Sequence, residues 1–567
     1  MRQDSTQDLN LDKRTFPQPV GPFPEAQHRE GRDAESGPDA EALGPQGLRL
    51  RRAAAGLTGR LGWRWPLIGM ASTLAMALAG PALVMASDGR ATKWWYVFRL
   101  PPSTAQLGNW LLFYAGMIML SVAWLAIGRR LRGVAPRHVC AVAVMWALPL
   151  VLGPPLFSRD IYSYAGQGLL AHLHLSPYVY GPGVLGVWGH QPLASAVAPV
   201  WRYTVAPYGP TFITLAALVT GGAANLVATV MDLRLFDLVG VGLIALCVPR
   251  LARLGGADEG RAAWLAVLSP LVLLSLVAAG HNDALMIGLV LAGVTLALER
   301  RPLLGVVLCA LAATIKVPAA AGVVFIAVAW ARDQSDRASR VRVLATAGLA
   351  TAVVLVGATA ASGLGWGWLS VGSLSTPGQV VVTVTPTTAL GTALASALHA
   401  LGFGPSTTTM VSAFRVLGFL VAGVTGLYLL WRTRLQTLVF CLGVTLLAVV
   451  VAGPVTWPWY LLWGVSLLAA WPATQRSKVL VVTMAAFGFV VGPAGSSLFG
   501  PPAAPLVAVV VLGAGVWAWR SWRGAVDEQL VLGSLARAPL DVRGWRISNL
   551  TSPRQGSEGP HDALVSD

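Results

Sequence analysis

Residues 155–182 read PLFSRDIYSYAGQGLLAHLHLSPYVYGP and residues 201–210 read WRYTVAPYGP, in a region flanked by strongly apolar segments. Ser158, Arg159 and Asp160 follow an apolar run near 138–156 that is predicted to be a membrane helix, so they fall at a lipid–water boundary. A carboxylate at that depth is costly unless it has a partner or a task. We therefore predict that Asp160 is the centre of an active site on the non-cytoplasmic side. The alternative is a solvated loop acid that merely ends the helix.

The composition around this stretch is that of a polytopic membrane protein. Of the 567 residues, 55% are hydrophobic and only 12% are charged, and the mean hydropathy is +0.63. The formal net charge of +16 comes from basic residues in short loops between apolar segments, not from one patch. This pattern assigns those loops to the cytoplasm and argues against nucleic-acid binding. The four cysteines have no paired spacing, so we expect core residues and not a disulfide frame or metal site.

The apolar stretches predict an all-α fold with about 14 transmembrane helices plus a re-entrant helix. The spans are expected near 67–86, 108–128, 138–156, 224–253, 262–280, 284–299, 302–314, 318–331, 341–362, 411–431, 435–453, 458–473, 478–494 and 503–520. The piece at 208–222 is predicted to be re-entrant, because a full crossing would place the basic 250–261 loop outside. The run 302–331 is predicted to break at Lys316-Val317-Pro318 for the same reason, and the proline supplies the break.

Three parts of the chain are expected from composition. Residues 1–60, rich in Pro, Gly, Gln and mixed charge, predict a disordered cytoplasmic tail; residues 61–522 form the transmembrane catalytic domain; residues 523–567 form a cytoplasmic polar tail. With both termini cytoplasmic, the polar segments gather on the opposite side. They are the 87–107 loop, the 157–223 region, the 363–410 loop and short connections at 281–283, 316 and 456–460. We therefore predict that the chemistry takes place outside.

The tyrosines around Asp160 suit a sugar site, because they offer hydroxyl groups and flat apolar faces. They are Tyr162, Tyr164, Tyr178, Tyr180, Tyr203 and Tyr208. The alternative for each is membership of the aromatic belt at the membrane interface.

A polar group, Gly280-His281-Asn282-Asp283, opens a predicted helix at the outer boundary. Asn282 or Asp283 alone would serve as an N-cap, but three polar residues exceed what a cap needs and predict a polar pocket. His-x-Asp is only a weak metal signal, because no second ligand pair has recognisable spacing, and we assign no metal ligand.

Lys316 interrupts the apolar run ALAATIKVPAAAGVV on the same side. One interpretation is a lysine that snorkels to the headgroups. The other is a cation that stabilises a lipid-linked phosphate as it becomes a leaving group. Arg99, Arg159 and Arg202 are candidates for the same phosphate.

Several of these motifs together resemble the actinobacterial polyprenol-phosphomannose-dependent α-(1→6)-mannosyltransferases, the MptA/MptB family of GT-C-type membrane enzymes. The resemblance extends from about 67 to 520. It rests on 157–168, Pro177-Tyr178, Gly181-Pro182, Ala206-Pro207-Tyr208-Gly209-Pro210, Gly280-His281-Asn282-Asp283, Lys316, Pro454 and Pro458-Trp459-Tyr460. Two positions depart from the family pattern, since Ser176 stands where relatives tend to have Asp and Asp283 where they often have Glu. The blocks at Pro101-Pro102-Ser103 and 459–463 lean toward the MptB type, whereas Ser158-Arg159-Asp160 and Gln167-Gly168 lean toward the MptA type. We favour the MptB type.

The resemblance implies an inverting transfer of mannose from β-linked polyprenyl-phosphate mannose to a lipid-anchored α-(1→6)-mannan, the backbone of lipomannan and lipoarabinomannan. The family's proposed base maps to Asp160. With it we assign donor-phosphate binding to Lys316, Arg159 and Arg202. Sugar and acceptor binding are assigned to Tyr162, Tyr164, Tyr178, Tyr208, His281, Asn282, Asp283, Trp459 and Tyr460.

The reaction so described needs no cofactor, since the donor already carries its phosphate, although a divalent metal is not excluded. The expected partners are the polyprenyl-phosphate mannose donor, the lipid-linked mannan acceptor and membrane lipid, with no nucleic acid. The expected location is the plasma membrane, with the active site on the outer, periplasmic face. A polytopic lipid or glycolipid transporter, or flippase, is the alternative function. It is less favoured because no internal repeat is visible and the polar residues collect at one face instead of the midplane.

Overall fold

The fold is known from a computed structural model, which describes residues 62–88, 106–131, 133–222, 225–472, 492–493, 495, 500–513 and 516. The regular elements of these residues are all helical, in agreement with the predicted all-α class. The predicted tails at 1–60 and 523–567, and most of the predicted span at 478–494, lie outside the described residues.

The α-helices, in chain order, are α1 (Arg64–Asp88), α2 (Gln106–Gly128), α3 (Pro136–Leu152), α4 (Asp160–His172), α5 (Gln191–Ala196), α6 (Pro210–Gly222), α7 (Leu226–Leu254), α8 (Glu259–Ala266), α9 (Pro270–Ala278), α10 (Asp283–Leu298), α11 (Pro302–Ala313), α12 (Ala320–Arg332), α13 (Arg337–Ser362), α14 (Val371–Ser375), α15 (Pro386–Ala400), α16 (Thr407–Arg432), α17 (Leu438–Ala452), α18 (Leu462–Ala469) and α19 (Ala504–Gly513). The second part of α9, Leu273–Ala278, is a π-helical turn. Short 3₁₀ turns lie between them, among others at Pro199–Trp201, Val317–Ala319, Thr376–Gln379 and Pro458–Leu461.

Six of the described helices are long and apolar enough to cross a membrane: α1, α2, α7, α13, α16 and the segment Leu435–Ala452 that contains α17. The pair α8 and α9, bent by 42°, makes a seventh if it is one broken span. Shorter apolar helices of 10–17 residues correspond to other predicted spans: α3, α10, α11, Val317–Arg332 with α12, Pro458–Ala469 with α18, and α19. Helix α6, in the same length class, corresponds to the predicted re-entrant piece. A membrane protein is therefore confirmed, while the number of 14 crossings stays a prediction.

Two further sequence-based expectations concern the break within 302–331 and the re-entrant piece at 208–222. The run 302–331 breaks as predicted: α11 ends at Ala313, a 3₁₀ turn covers Val317–Ala319 and α12 follows. Helix α6 has 13 residues, about 20 Å at 1.5 Å per residue, against a hydrocarbon core of about 30 Å. Its length suits a half-membrane helix, and its re-entrant position stays a prediction.

The start of α6 is joined to the break between α11 and α12. The backbone N–H of Gly209 donates to the carbonyl of Ile315 at 3.0 Å, and that of Thr211 to the carbonyl of Thr314 at 3.1 Å. Gly209 is required at this contact, since a Cβ there would lie 2.2 Å from the Thr314 carbonyl oxygen. The junction brings Tyr208 next to Lys316, where the site is built.

The start of α4 is set by the chain between α3 and α4. Helix α3 stops before Gly153-Pro154-Pro155, because consecutive prolines cannot continue it. Phe157 then turns the chain with a φ of 67°, an unfavourable conformation for a residue with a side chain. The backbone N–H of Leu156 donates to Ala278 at the end of α9, at 3.1 Å. These contacts place Asp160, the first residue of α4, beside the turn that leads into α10.

Candidate functional site

Asp160 lies in a partly open cleft with its carboxylate held in place. The cleft is lined by Asp160, Ser163, Gln167, Trp201, Thr204, Pro207, Tyr208, Thr376, Pro377, Trp457 and Tyr460. The Trp201 indole Nε1–H donates to Asp160 Oδ1 at 3.0 Å, and the Asp160 backbone N–H donates to Ser158 Oγ at 3.1 Å. The first turn of a helix is favourable for an anion because of the helix dipole. The Asp160 side chain remains 13% exposed, so it is within reach of a molecule in the cleft.

His281 stands behind this carboxylate. Its Nε2 is 3.6 Å from Asp160 Oδ2, and its Nδ1 is 2.6 Å from the carbonyl oxygen of Ser275 on the π turn of α9. The imidazole is fully buried and stacks on Trp459, with ring centroids 3.8 Å apart. Gly280 allows the chain to turn before His281: its φ is +69°, and a Cβ there would lie 2.8 Å from Ile161 Cδ1.

The two predicted phosphate-binding arginines hold the loop that carries Trp201. Arg159 is buried and donates to the carbonyls of Ser195, Ala196 and Val197 at 2.6–3.2 Å. Arg202, half-buried, donates to the carbonyls of Val197 at 3.1 Å and Ser195 at 3.0 Å. The planar guanidinium presents several donors in a fixed geometry, which suits clamping one segment from two sides. Their part in phosphate binding stays a prediction.

Lys316 is found in a buried ion pair. Its Nζ lies 2.9 Å from both carboxylate oxygens of Asp283, and the two side chains are 7% and 0% exposed. The Trp463 indole also donates to Asp283 Oδ1, at 2.6 Å. The ammonium group lies over the rings of Tyr460, Trp463 and Tyr208, 4.4–5.6 Å from their centroids. Lys316 is therefore not snorkelling to a headgroup layer; it neutralises a carboxylate in an aromatic box beside the cleft.

The predicted tyrosines divide into two groups. Tyr162, Tyr164, Tyr178 and Tyr208 are buried, whereas Tyr180 and Tyr203 are 43% and 82% exposed. Tyr164 and Tyr208 pack edge to face, 5.1 Å between centroids. The Tyr178 hydroxyl donates to the Tyr208 carbonyl at 3.0 Å, and burial raises the pKa of that hydroxyl well above its ordinary value. Of the buried four, only Tyr208 lines the cleft, so direct sugar contact by the other three stays a prediction.

The remaining predicted residues surround the His281 ring and the ion pair. Trp459 stacks between His281 and Trp457, and Tyr460 lines the cleft. Asn282 is fully buried, and neither polar atom of its side chain has a hydrogen-bond partner among the described residues. A buried amide in that state is costly unless a water or ligand completes it. The structure thus brings the 281–283 group to the same site as Asp160.

Several residues of the site were missed from the sequence. Ser163 and Gln167 are buried, line the cleft, and have side-chain oxygens without a partner in the described parts of the chain. A signal was available, since Asp160, Ser163 and Gln167 follow the i, i+3, i+7 spacing of one helix face. Trp201 gave no local signal, because 41 residues separate it from Asp160.

No group of three or more His, Cys, Asp or Glu residues close enough to hold a metal ion occurs among the described residues. The cleft and its back wall contain a carboxylate with a neighbouring imidazole, and a lysine paired with Asp283. This arrangement is suited to moving a proton from a hydroxyl group that enters the cleft.

The chain was compared with known proteins. Residues 66–332 match the family model described as alpha-(1->6)-mannopyranosyltransferase, N-terminal domain, and residues 387–522 match the MptB C-terminal domain. A probable alpha-(1->6)-mannopyranosyltransferase of Mycolicibacterium smegmatis is 36% identical, over 71% of this chain and 76% of its own length. Alpha-(1->6)-mannopyranosyltransferase A of Mycobacterium tuberculosis is 34% identical, over 67% and 75%. Alpha-(1->6)-mannopyranosyltransferase B of Corynebacterium glutamicum is 30% identical, over 62% of each. No solved structure matches this chain.

Proposed function

Because this chain belongs to the alpha-(1->6)-mannopyranosyltransferase family and is a mannosyltransferase, we propose that it transfers mannose from polyprenyl-phosphate mannose to the 6-hydroxyl of a lipid-anchored α-(1→6)-mannan. The transporter alternative is set aside, since the relatives named above are transferases. The product is the backbone of lipomannan and lipoarabinomannan. The match of residues 387–522 to the MptB C-terminal domain favours the MptB type.

The observation that carries this proposal is the oriented carboxylate of Asp160 in its cleft. Trp201 fixes one carboxylate oxygen, and Ser163 and Gln167 offer partnerless polar atoms to an incoming molecule. A sugar acceptor supplies many hydroxyl groups that can complete such atoms. Asp160 acts as the general base for the acceptor 6-hydroxyl. That oxygen attacks the anomeric carbon in line with the departing phosphate, so the configuration inverts from β to α without a sugar–enzyme intermediate.

The phosphate leaves with a developing negative charge, which a nearby cation stabilises. Lys316 is our first candidate because its ammonium group lies over the rings of Tyr208 and Tyr460, and both tyrosines line the cleft. Arg202 is the second, since it is half-buried and follows Trp201. To meet the phosphate directly, Lys316 has to move from Asp283 to it, which leaves the buried Asp283 carboxylate with the Trp463 donor alone. Binding of the phosphate has to offset that cost.

The enzyme is placed in the plasma membrane with both termini cytoplasmic and the cleft on the outer face, as a GT-C-type protein. This placement is supported by the basic residues of loops such as 250–261 and 332–342. Helices α13 and α16 are largely exposed, since only 17% of the most apolar stretch of each is buried, and this suits contact with lipid. A donor with a polyprenyl tail reaches such a site sideways from the bilayer.

The test is Asp160→Asn in membranes that hold the full-length protein and receive labelled polyprenyl-phosphate mannose. Loss of a general base lowers rates about 10²–10⁴-fold, so incorporation into mannolipid is expected to fall at least about 100-fold. The matched control is Asp333→Asn, which removes an exposed carboxylate from a surface ion pair with Arg300 and is expected to leave incorporation unchanged. Near-normal incorporation by Asp160→Asn would contradict the assignment of the base.

A further inference from the structure

His281 has one ring nitrogen whose protonation is settled by its surroundings. The Nδ1 atom lies 2.6 Å from the carbonyl oxygen of Ser275, which can only accept a hydrogen bond, so Nδ1 carries a proton. The Ser275 carbonyl can accept from His281 because the π turn shifts the backbone hydrogen bonds by one residue: the N–H of Ala279 donates to the carbonyl of Leu274 at 3.1 Å and not to that of Ser275. In the neutral imidazole, the proton-free nitrogen is then Nε2.

The proton-free nitrogen faces the base of the reaction. Nε2 is 3.6 Å from Asp160 Oδ2 and has no hydrogen-bond partner within the described residues. Two acceptors that face each other gain a hydrogen bond to one another only when one proton lies between them. The other carboxylate oxygen, Oδ1, already accepts from Trp201. Asp160 and His281 therefore form a place for one additional proton.

The charges around the imidazole fit this role. Asp237 and Arg234 of α7 approach the Gly280 backbone: a Cβ on Gly280 would lie 3.3 Å from Asp237 Oδ2 and 3.5 Å from Arg234 Cγ. Asp283, two residues after His281, is neutralised by Lys316, and Arg159 precedes Asp160 but directs its donors at the 195–197 carbonyls. The face of the ring is covered by Trp459. A transient imidazolium thus has a carboxylate at its Nε2 and no like charge in contact among these groups.

We propose that His281 is the proton-holding partner of Asp160, not a sugar ligand: the proton taken from the acceptor hydroxyl passes through the Asp160 carboxylate to His281 Nε2. The acceptor O–H bond breaks, its oxygen bonds to the anomeric carbon, and the bond to the phosphate oxygen breaks with its electron pair leaving on polyprenyl phosphate. The proton returns through Asp160 to water once the products have left. His281 is a positioning residue, since it acts on substrate only through Asp160. This inference rests on the proposed function.

The first experiment compares pH profiles of kcat/KM for mannosyl transfer by wild type and His281→Gln in membranes. The Asp160–His281 pair is active when it holds no additional proton. Activity therefore falls at low pH, where the pair takes up a proton, and the acid limb of the profile reports the pair as a unit. Without the imidazole, a lone carboxylate remains, and carboxylates take up protons at lower pH than imidazoles. We expect kcat to fall about 10–100-fold with KM changed less than about threefold, and the acid limb to move at least about one pH unit lower.

Two results overturn the inference, and they are distinguishable. A lower rate with an unmoved acid limb assigns His281 a merely structural role and overturns the inference while leaving Asp160 as base. Absence of transfer by wild type from polyprenyl-phosphate mannose sinks the proposed function and this inference with it. The control variant is Asp333→Asn, which removes an exposed carboxylate from the surface ion pair with Arg300, and its acid limb is expected to coincide with that of wild type.

A measurement on wild type alone covers the case in which His281→Gln does not fold. Protonation of imidazole releases much more heat than protonation of a carboxylate, so the two respond differently to temperature. We expect the acid limb of the wild-type profile to move to lower pH when the assay is warmed by about 20 degrees, as the pKa of an imidazole does. A limb that does not move with temperature belongs to a carboxylate alone and overturns the proposal.

Discussion

The ion pair between Lys316 and Asp283 gives the most quantitative prediction. Lys316→Met leaves the Asp283 carboxylate buried at 0% exposure with only the Trp463 donor. Breaking a buried pair by removing one partner costs about 3–5 kcal/mol. Because Trp463 still donates to Asp283, the cost of leaving this carboxylate without its lysine is at the lower end of that range, about 3 kcal/mol. The lost cation–π contact with the Tyr460 ring adds about 0.5–2 kcal/mol. We therefore expect the free energy of unfolding to fall by about 3.5–5 kcal/mol.

The assay is a double-mutant cycle of Lys316→Met, Asp283→Asn and both together, with unfolding followed in mixed micelles as a denaturing detergent is added. The double variant has no buried charge at this pair, and Trp463 still donates to the amide oxygen that Asp283→Asn introduces. Most of the loss should therefore be recovered, with a coupling energy above about 2 kcal/mol. Single variants within about 1 kcal/mol of wild type, or strictly additive effects, would refute the pair. Activity of the restored double variant then tests the phosphate role, since a leaving-group cation remains absent and transfer should stay low.

Three further predictions concern the neighbours of Asp160 and the buried tyrosine. Trp201→Phe removes one hydrogen bond to a carboxylate, about 1.5–3 kcal/mol, so kcat/KM for mannosyl transfer should fall about 10–100-fold, and an unchanged value would show that the carboxylate needs no such orientation. Gly280→Ala places a side chain on a residue with a φ of +69° and should lower the free energy of unfolding by about 1–3 kcal/mol. An unchanged free energy of unfolding would show that the turn accommodates the side chain without strain. Tyr178 has a pKa raised by burial, so its proton is kept in the folded state but lost from the unfolded state above about pH 10, and stability falls there as pH rises. In Tyr178→Phe, the free energy of unfolding should therefore fall less steeply with pH above about pH 10 than in wild type. The same slope in both proteins would contradict this prediction.

The helices were largely predictable because apolar length is a local property. The predicted span at 224–253 corresponds to α7 at Leu226–Leu254, and 411–431 to α16 at Thr407–Arg432. The break at Pro318 was also predictable. Proline removes a backbone hydrogen-bond donor, and an unbroken helix would have placed the four arginines of the 332–342 loop outside the cytoplasm. The bend of 42° between α8 and α9 was not predicted, because the Ser269-Pro270 pair lies inside an otherwise uniform apolar run.

The charged and imidazole side chains of the site were predictable, but their partners were not. Asp160, His281 and Lys316 each stood out as polar residues in apolar surroundings, which is a signal within one segment. Their pairing depends on the packing of segments far apart in the chain: Lys316 meets Asp283 across 33 residues, and Trp463 reaches Asp283 across 180. For the same reason, nothing in the sequence indicated that Arg159 clamps the 195–197 carbonyls.

The central claim, a base on the outer face of the membrane, is tested most directly by sidedness. Tyr203→Cys places a thiol at a position 82% exposed and two residues from Trp201, in a chain whose four native cysteines are replaced by alanine. Ser335→Cys, in the basic loop predicted to be cytoplasmic, is the control. We predict that a membrane-impermeant maleimide labels Tyr203→Cys in intact cells and labels Ser335→Cys only after permeabilisation. Labelling of Tyr203→Cys only after permeabilisation would contradict the account.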